Sequence, residues 1–289
     1  MPELAKPEVA GFYHEPSGSI AYIVKDPAST HAAIVDPVLD YDEKSGRVST
    51  ELADRLIEAV RTRGLSVAWI LDTHAHADHF SAAHYLKGKL GAPMAIGEKI
   101  VAVQRLWQKI YNWPGLPADG SQWDKLFAAG ETFRIGSLDM RVMFSPGHTP
   151  ASITYVAGDC AFVHDTLFQP DSGTARADFP GGSAALLYDS IMQILALPDA
   201  TRLFTGHDYR PNARAAQWES TVGEQKRSNS HFKDQPAREA YVAMREARDR
   251  SLPMPRLILH ALQINIRGGR LPDPEGNGTA YLKIPLNAL

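Results

Sequence analysis

Four of the eleven histidines fall between His74 and His84, and the core of that cluster reads His74-x-His76-x-Asp78-His79. It follows SVAWILD (66–72), an apolar run that predicts a buried strand, and precedes FSAAHYLKGKLG, which predicts a helix closed by Gly91. A divalent transition metal needs several imidazole or carboxylate ligands converging at about 2.0–2.2 Å. A turn after a rigid strand supplies them with few residues. His74 and His76, two apart in extended chain, can face one side, while Asp78 and His79, where the chain turns into a helix, can face another. Such a turn can feed two adjacent metal positions. Helix capping by Asp78 alone is the plainer reading, and the density of ligand types argues against it. His84, on the helix beyond, reads as packing or exposed.

Three later positions also follow strand-like runs: His148 in SPGHTP, Asp165 in VHDTLF and His207 in TGHDY. Each alone is weak, but the ordered series of HxHxDH, His, Asp and His, each just past a strand, is not a chance arrangement. His164, beside Asp165, should point the other way along a persisting strand and is left out of the set. Paired strands at SIAYIV and AAIVD, a helix from Thr50 to Arg63 and a repeat of strands and helix in the second half argue for an α/β fold. Polar clusters just after strands are where such folds carry their sites.

Composition narrows the function classes. Thirty Lys and Arg against thirty-three Asp and Glu give −3, so no basic field draws in nucleic acid. No window approaches 18 uncharged apolar residues, and the opening MPELAKPEVAGFYHEP lacks the apolar region of a secretory signal. The expectation is a cytoplasmic protein without a membrane span. The single cysteine, Cys160 in CAFV, excludes an intramolecular disulfide or a zinc site of several thiolates and reads as a packing thiol. HExxH, GxSxG, GxxxxGK[ST] and GxGxxG are all absent. Residues 1–218 read as one catalytic domain. Residues 219–289 read as an extension packed on it, because Leu257, Ile258, Leu262 and Ile264 favour burial despite the surrounding Pro and Gly. Trp107, Tyr111, Trp113 and Trp123 surround the loop YNWPGLPADG and read first as core, with a substrate entrance or subunit contact as the alternative.

Over residues 15 to 215 the HxHxDH…H…D…H set resembles the metallo-β-lactamase superfamily, which implies a four-layer αββα sandwich with its metal site at one edge of the two sheets. More narrowly, PGHTP, DFPGG, LYDSIMQILALPD and GHDY look like the persulfide dioxygenase branch, and the tail ALQINIRGGRLP resembles the C-terminal extension of bacterial members. That resemblance implies one Fe(II) per chain held by His74, His148 and Asp165, which leaves open positions for O2 and glutathione persulfide. His76, Asp78, His79 and His207 would then be outer groups. It further implies glutathione contacts from Arg176 and Tyr209, although Arg176 can equally bridge Asp178 and Tyr209 can equally sit half-buried at a rim. Sulfite and glutathione would be the products. The alternative is a dinuclear zinc thioesterase resembling glyoxalase II, in which Asp78, His79 and His207, with Asp165 bridging, complete a second metal position. Asp208, where those relatives usually carry Glu, and the ADFPGG context lean against it. The loop DSGTAR also lacks a cysteine found in some persulfide dioxygenases. The reading leaves a homodimer built by the tail open.

Overall fold

The computed structural model describes residues 5–289, so the first four residues of the polar opening lie outside it. One six-stranded sheet runs in the order Glu8–His14, Ser19–Lys25, His31–Val35, Ser66–Leu71, Met94–Gly97 and Lys125–Phe127. Its first three strands are antiparallel and the later ones join in parallel. Parallel neighbours need crossovers, and the helices Glu51–Thr62, Ala83–Leu90 and Ile100–Ile110 supply them. The second six-stranded sheet runs Thr132–Ile135, Leu138–Phe144, Ile153–Ala157, Cys160–His164, Arg202–Thr205 and Glu219–Thr221. Only Cys160–His164 and Arg202–Thr205 pair in parallel there, through a crossover that contains the helix Ala184–Leu195.

Side-chain alternation explains why the central strands are apolar throughout. Along Ser19–Lys25, Ile20, Tyr22 and Val24 enter the core between the two sheets, where they meet Val142, Tyr155, Phe162 and Phe204. Ala21 and Ile23 face outward into a second core with Leu52, Leu56, Ile57 and Val60 of the first helix. The outer face of the second sheet packs Ala161, Val163 and Leu203 against Leu187, Ile191 and Ile194. This is the four-layer αββα sandwich expected from the sequence.

At the edge away from the ligand turns, Asp26 staples one sheet to the other. Its carboxylate accepts hydrogen bonds from Ala28 N, Ser29 Oγ, and both the N and Oγ of Ser137 in the opposing hairpin. Burial works against the charge, yet these donors hold the Asp26 pKa down at about 2. Gly136 leaves room for the contact: it has φ +61, and a Cβ there would stand 2.4 Å from Asp26 Oδ2.

The segment after Trp218 does not begin as an appendage. Glu219–Thr221 pairs antiparallel with Arg202–Thr205 and closes the second sheet. Of the helices that follow, Val222–Ser228 and Arg238–Asp249 contribute Val222 and Tyr241 to the outer core of the second sheet, while Ile258–Asn265 places Ile258, Ala261, Leu262 and Ile264 in the outer core of the first. Each such aliphatic gains roughly 1.5–3 kcal/mol over exposure. Trp107, Tyr111 and Trp123 are buried in that first outer core with Trp113 packed against it, so the aromatic cluster is core. A small sheet of Val38–Asp42, Arg47–Ser49 and Phe80–Ser81 was not anticipated, because two residues of strand leave no readable pattern. Among the described residues no helix is long and apolar enough to cross a membrane.

Candidate metal centre

The strand Ser66–Leu71 ends in the core and delivers Asp72–His79 to one edge of the sandwich. Asp36, at the end of the neighbouring strand with φ 48, accepts hydrogen bonds from Thr73 N at 2.7 Å and Thr73 Oγ1 at 2.8 Å. Its other contact is His76, whose Nε2 lies 3.2 Å from Asp36 Oδ1. Asp72 points the opposite way and accepts from Ser81 Oγ and the Trp123 indole. Burial and the nearby Asp36 charge push its pKa up to about 6.

The second sheet supplies its ligand types one at a time. His148 sits in the turn after Leu138–Phe144 and donates Nδ1–H to the Arg176 carbonyl at 2.8 Å, which aims Nε2 at the centre. The strand Cys160–His164 ends in a register shift with His164 at φ 40, and this irregularity turns Asp165 into the site. Gly206 allows it, since a Cβ there would lie 2.5 Å from Asp165 Oδ1. His207 follows the parallel neighbour strand, so the two emerge side by side, with His207 Nδ1 2.6 Å from Asp165 Oδ1 and Nε2 2.7 Å from Asp78 Oδ2.

Three overlapping groups result: His74, His148 and Asp165; His76, Asp78 and His79; and Asp78, Asp165 and His207. Within each, the ligand atoms lie within 4.8 Å of one another. His74 Nε2, His76 Nδ1 and His79 Nε2 are buried without a hydrogen-bond partner. Orphaned buried nitrogens are costly unless something binds them, and imidazoles converging with two carboxylates fit a transition metal. Electrostatics agree. Burial, with neighbouring imidazoles, holds His74 well below the ordinary histidine range, and burial brings His79 down to about 4 against the pull of Asp78. Both are neutral, as ligands must be. His207 goes the other way: burial opposes its charge, but Asp165 and Asp78 on either side raise it well above the usual value. Asp165 is correspondingly held at about 2 by His207 despite burial. A proton on His207 thus stands where a cation would bind.

The ligand edge opens into a cavity of about 450 Å³. Asp78, His148, Asp165 and His207 form its floor, while Arg248 and Leu257 of the segment after Trp218 form part of its wall. Tyr209 stands largely exposed at its mouth, stacked on His207 at 5.7 Å. Arg176 also lines it, but its guanidinium is held by both Asp178 oxygens at 2.7 Å and by the Pro253 carbonyl. Arg176 thus reaches the cavity with its side chain bridged to Asp178, and its backbone carbonyl orients His148. His164 bonds Ser145 and Thr166 through Nε2 with its ring 5.1 Å from that of His74, His84 is exposed, and Cys160 is buried with its thiol pushed up to about 12.

Several participants were missed. Ser19 Oγ lies 2.9 Å from Asp78 Oδ2 and 3.0 Å from both His79 Nδ1 and His207 Nε2. Asp36, Asp72 and Asn265 also buttress the turn. Asp36 carried a weak signal, as a carboxylate ending an apolar strand; Ser19 and Asn265 carried none.

Residues 15–207 match the metallo-beta-lactamase superfamily. A beta-lactamase hydrolase-like protein of Agrobacterium fabrum is 64% identical over 285 residues, 99% of this chain and 66% of that protein, so the chain spans about two thirds of that relative's length. Glyoxylase B2 of Dictyostelium discoideum is 46% identical over 100% of this chain and 99% of its own. The crystal structure of ETHE1 from Myxococcus xanthus superposes with a TM-score of 0.73 at 28% identity, covering 91% of this chain and all of that one. The likeness to the persulfide dioxygenase branch is therefore borne out. The activity expected from it is corrected, because the mouse persulfide dioxygenase is only 28% identical while relatives at 46–64% carry hydrolase and glyoxylase names. The metal site itself stands, with His74, His148 and Asp165 brought together as one ligand group.

Proposed function

Because the chain belongs to the metallo-β-lactamase superfamily, we propose that it is a dinuclear zinc hydrolase of the glyoxalase II type that cleaves an S-acylglutathione thioester. The observation that carries this reading is the overlap of the three ligand groups, with Asp165 shared between two of them and Asp78 between two. A mononuclear iron site would use His76, Asp78, His79 and His207 only as outer groups that orient its three ligands. In a dinuclear centre each would be a ligand: His74, His76 and His148 would hold one ion and Asp78, His79 and His207 the other, with Asp165 grouped with residues of both sets. Two zinc ions, when bound there, would supply a hydroxide at neutral pH and polarise the thioester carbonyl.

The protein's part is orientation. The Arg176 carbonyl fixes the His148 tautomer and Asp36 holds the His76 ring, so the nitrogens presented to the centre do not wander. Asp78 and Asp165 provide the negative charge that balances two cations. Phe168 and Phe179 line the cavity and keep an acyl group away from water, while the exposed guanidinium of Arg248 at the wall suits the carboxylates of glutathione. Asp208, the residue that leaned against this reading, is fully buried and bound by Arg214 at 2.6 and 2.8 Å and by Gln217 N at 2.7 Å. It builds the loop, so Asp in place of Glu there does not discriminate between reactions.

The test is elemental analysis of the purified protein together with hydrolysis of S-lactoylglutathione, followed by thioester absorbance with an oxygen electrode in parallel. The expected result is close to two metal ions per chain, thiol release and no oxygen uptake. One iron per chain with oxygen consumption and no thioester turnover would overturn it.

A further inference from the structure

The helix Ile258–Asn265 ends against the back of the ligand turn, far along the chain from it. Asn265 is 3% exposed, and its amide group is used in full view of the centre: Nδ2 donates to the carbonyls of His76 and His79, both at 2.8 Å, and Oδ1 accepts from Ser81 N at 2.7 Å. One carboxamide thus ties three backbone groups across the six residues that carry His76, Asp78 and His79. The approach is independently fixed on either side. Gln104 Nε2 donates to the Ile266 carbonyl at 2.8 Å, and Gly269, with φ +83, packs so closely that a Cβ would meet Ser81 O at 2.4 Å. No other residue type makes this set of bonds. Aspartate of the same size would turn its donors into acceptors facing two carbonyls, and alanine would leave three buried backbone groups unsatisfied.

We propose that Asn265 is a positioning residue for the metal centre, and that the segment after Trp218 is through it a structural part of that centre. The ligand turn has no regular secondary structure between Leu71 and Phe80, so the peptide planes at His76 and His79 are set by what they bond. Asn265 sets both, and so sets where the two rings point. His148, Asp165 and His207 lie on the other sheet and do not depend on it. The inference rests on the dinuclear-centre part of the proposed function and not on its substrate.

The experiment is therefore metal affinity, which fails or succeeds independently of thioester turnover. Zinc binding to the full chain is measured by competition with a chromophoric chelator for the wild type and Asn265→Ser, which keeps a short polar group. The metal-free proteins are compared by circular dichroism and melting. The expected outcome is a folded metal-free protein whose melting point is lowered by the lost buried hydrogen bonds, with zinc affinity weakened about 10- to 100-fold so that the zinc-loaded protein loses more, the scale seen when an outer group that orients ligands is removed. Unchanged affinity, or equal loss of melting temperature with and without zinc, would overturn the proposal. Should Asn265→Ser fail to fold, hydrogen exchange on the wild type decides: zinc loading should slow exchange of the Ser81 amide that Asn265 accepts, and no change there would reject it.

Discussion

His74, His76, Asp78 and His79 reach the centre from six consecutive residues after one strand, whereas His148, Asp165 and His207 reach it from three separate strand ends of the opposing sheet. The first group is local in sequence but irregular in backbone, and depends on distant side chains to hold its shape: Asp36, Ser19 and Asn265. The second is scattered in sequence but held by regular structure, because parallel pairing of Cys160–His164 with Arg202–Thr205 places Asp165 beside His207. Proximity along the chain and rigidity in space are thus traded against each other on the two sides of one site.

The sharpest way to break this comparison is Asp165→Ala. Asp165 belongs to two of the three ligand groups, so its loss should empty the scattered half and cut turnover by ~10³-fold or more, the scale of removing a key electrostatic element. Metal analysis that still found two ions per chain would show that the local turn suffices alone. A second effect concerns protons. His207 is raised well above its usual value by Asp165 and Asp78 and holds a proton at neutral pH, whereas His79, at about 4, does not. Zinc loading at pH 7 should therefore expel a proton from His207 and none from His79, with His76, which Asp36 raises against burial, adding to the count. Affinity should fall as pH falls, and calorimetry in buffers of differing ionisation enthalpy counts the protons released. Equal zinc affinity at pH 6 and 8 would contradict it.

Smaller effects lie away from the centre. Asp26→Asn removes the charge from the staple between the sheets and should cost about 1–3 kcal/mol by urea unfolding at pH 7, with metal content unchanged. Its folded pKa is depressed, so the stabilisation is present above the ordinary carboxylate value and is lost as pH falls through about 2. The gap between wild type and variant should close over that acidic window. Arg176→Ala is the mildest. Its carbonyl still serves His148, so metal stoichiometry should hold while the partly buried bridge to Asp178 costs about 1 kcal/mol.

The same contrast explains what could be read in advance. The local half was legible because ligand types crowd into one turn, and the scattered half because each of its members follows an apolar strand. The α/β class followed from the order of strands and helices and the αββα layering from the resemblance carried by the ligand series; strands apolar on both faces, as Ile20 to Val24 are, give its physical reason. What could not be read were the long-range buttresses. Ser19 looks like any strand serine, Asn265 like any residue ending a helix, and the service of Arg176 is rendered by a carbonyl that every residue possesses. The reaction was misjudged for a related reason: the ligand series is common to the whole superfamily, and the loop motifs around it report ancestry of the fold.

Time adds one more consequence to the bond between Asn265 and His79, whose partners stand 186 positions apart. A ribosome adding about 5–20 residues per second delivers the second partner roughly ten to forty seconds after the first. Throughout that interval the histidine turn has emerged without its final hydrogen bonds, and the centre completes itself only when the late helix docks. Metal captured earlier meets a flexible chelating peptide; metal captured afterwards meets a finished enzyme.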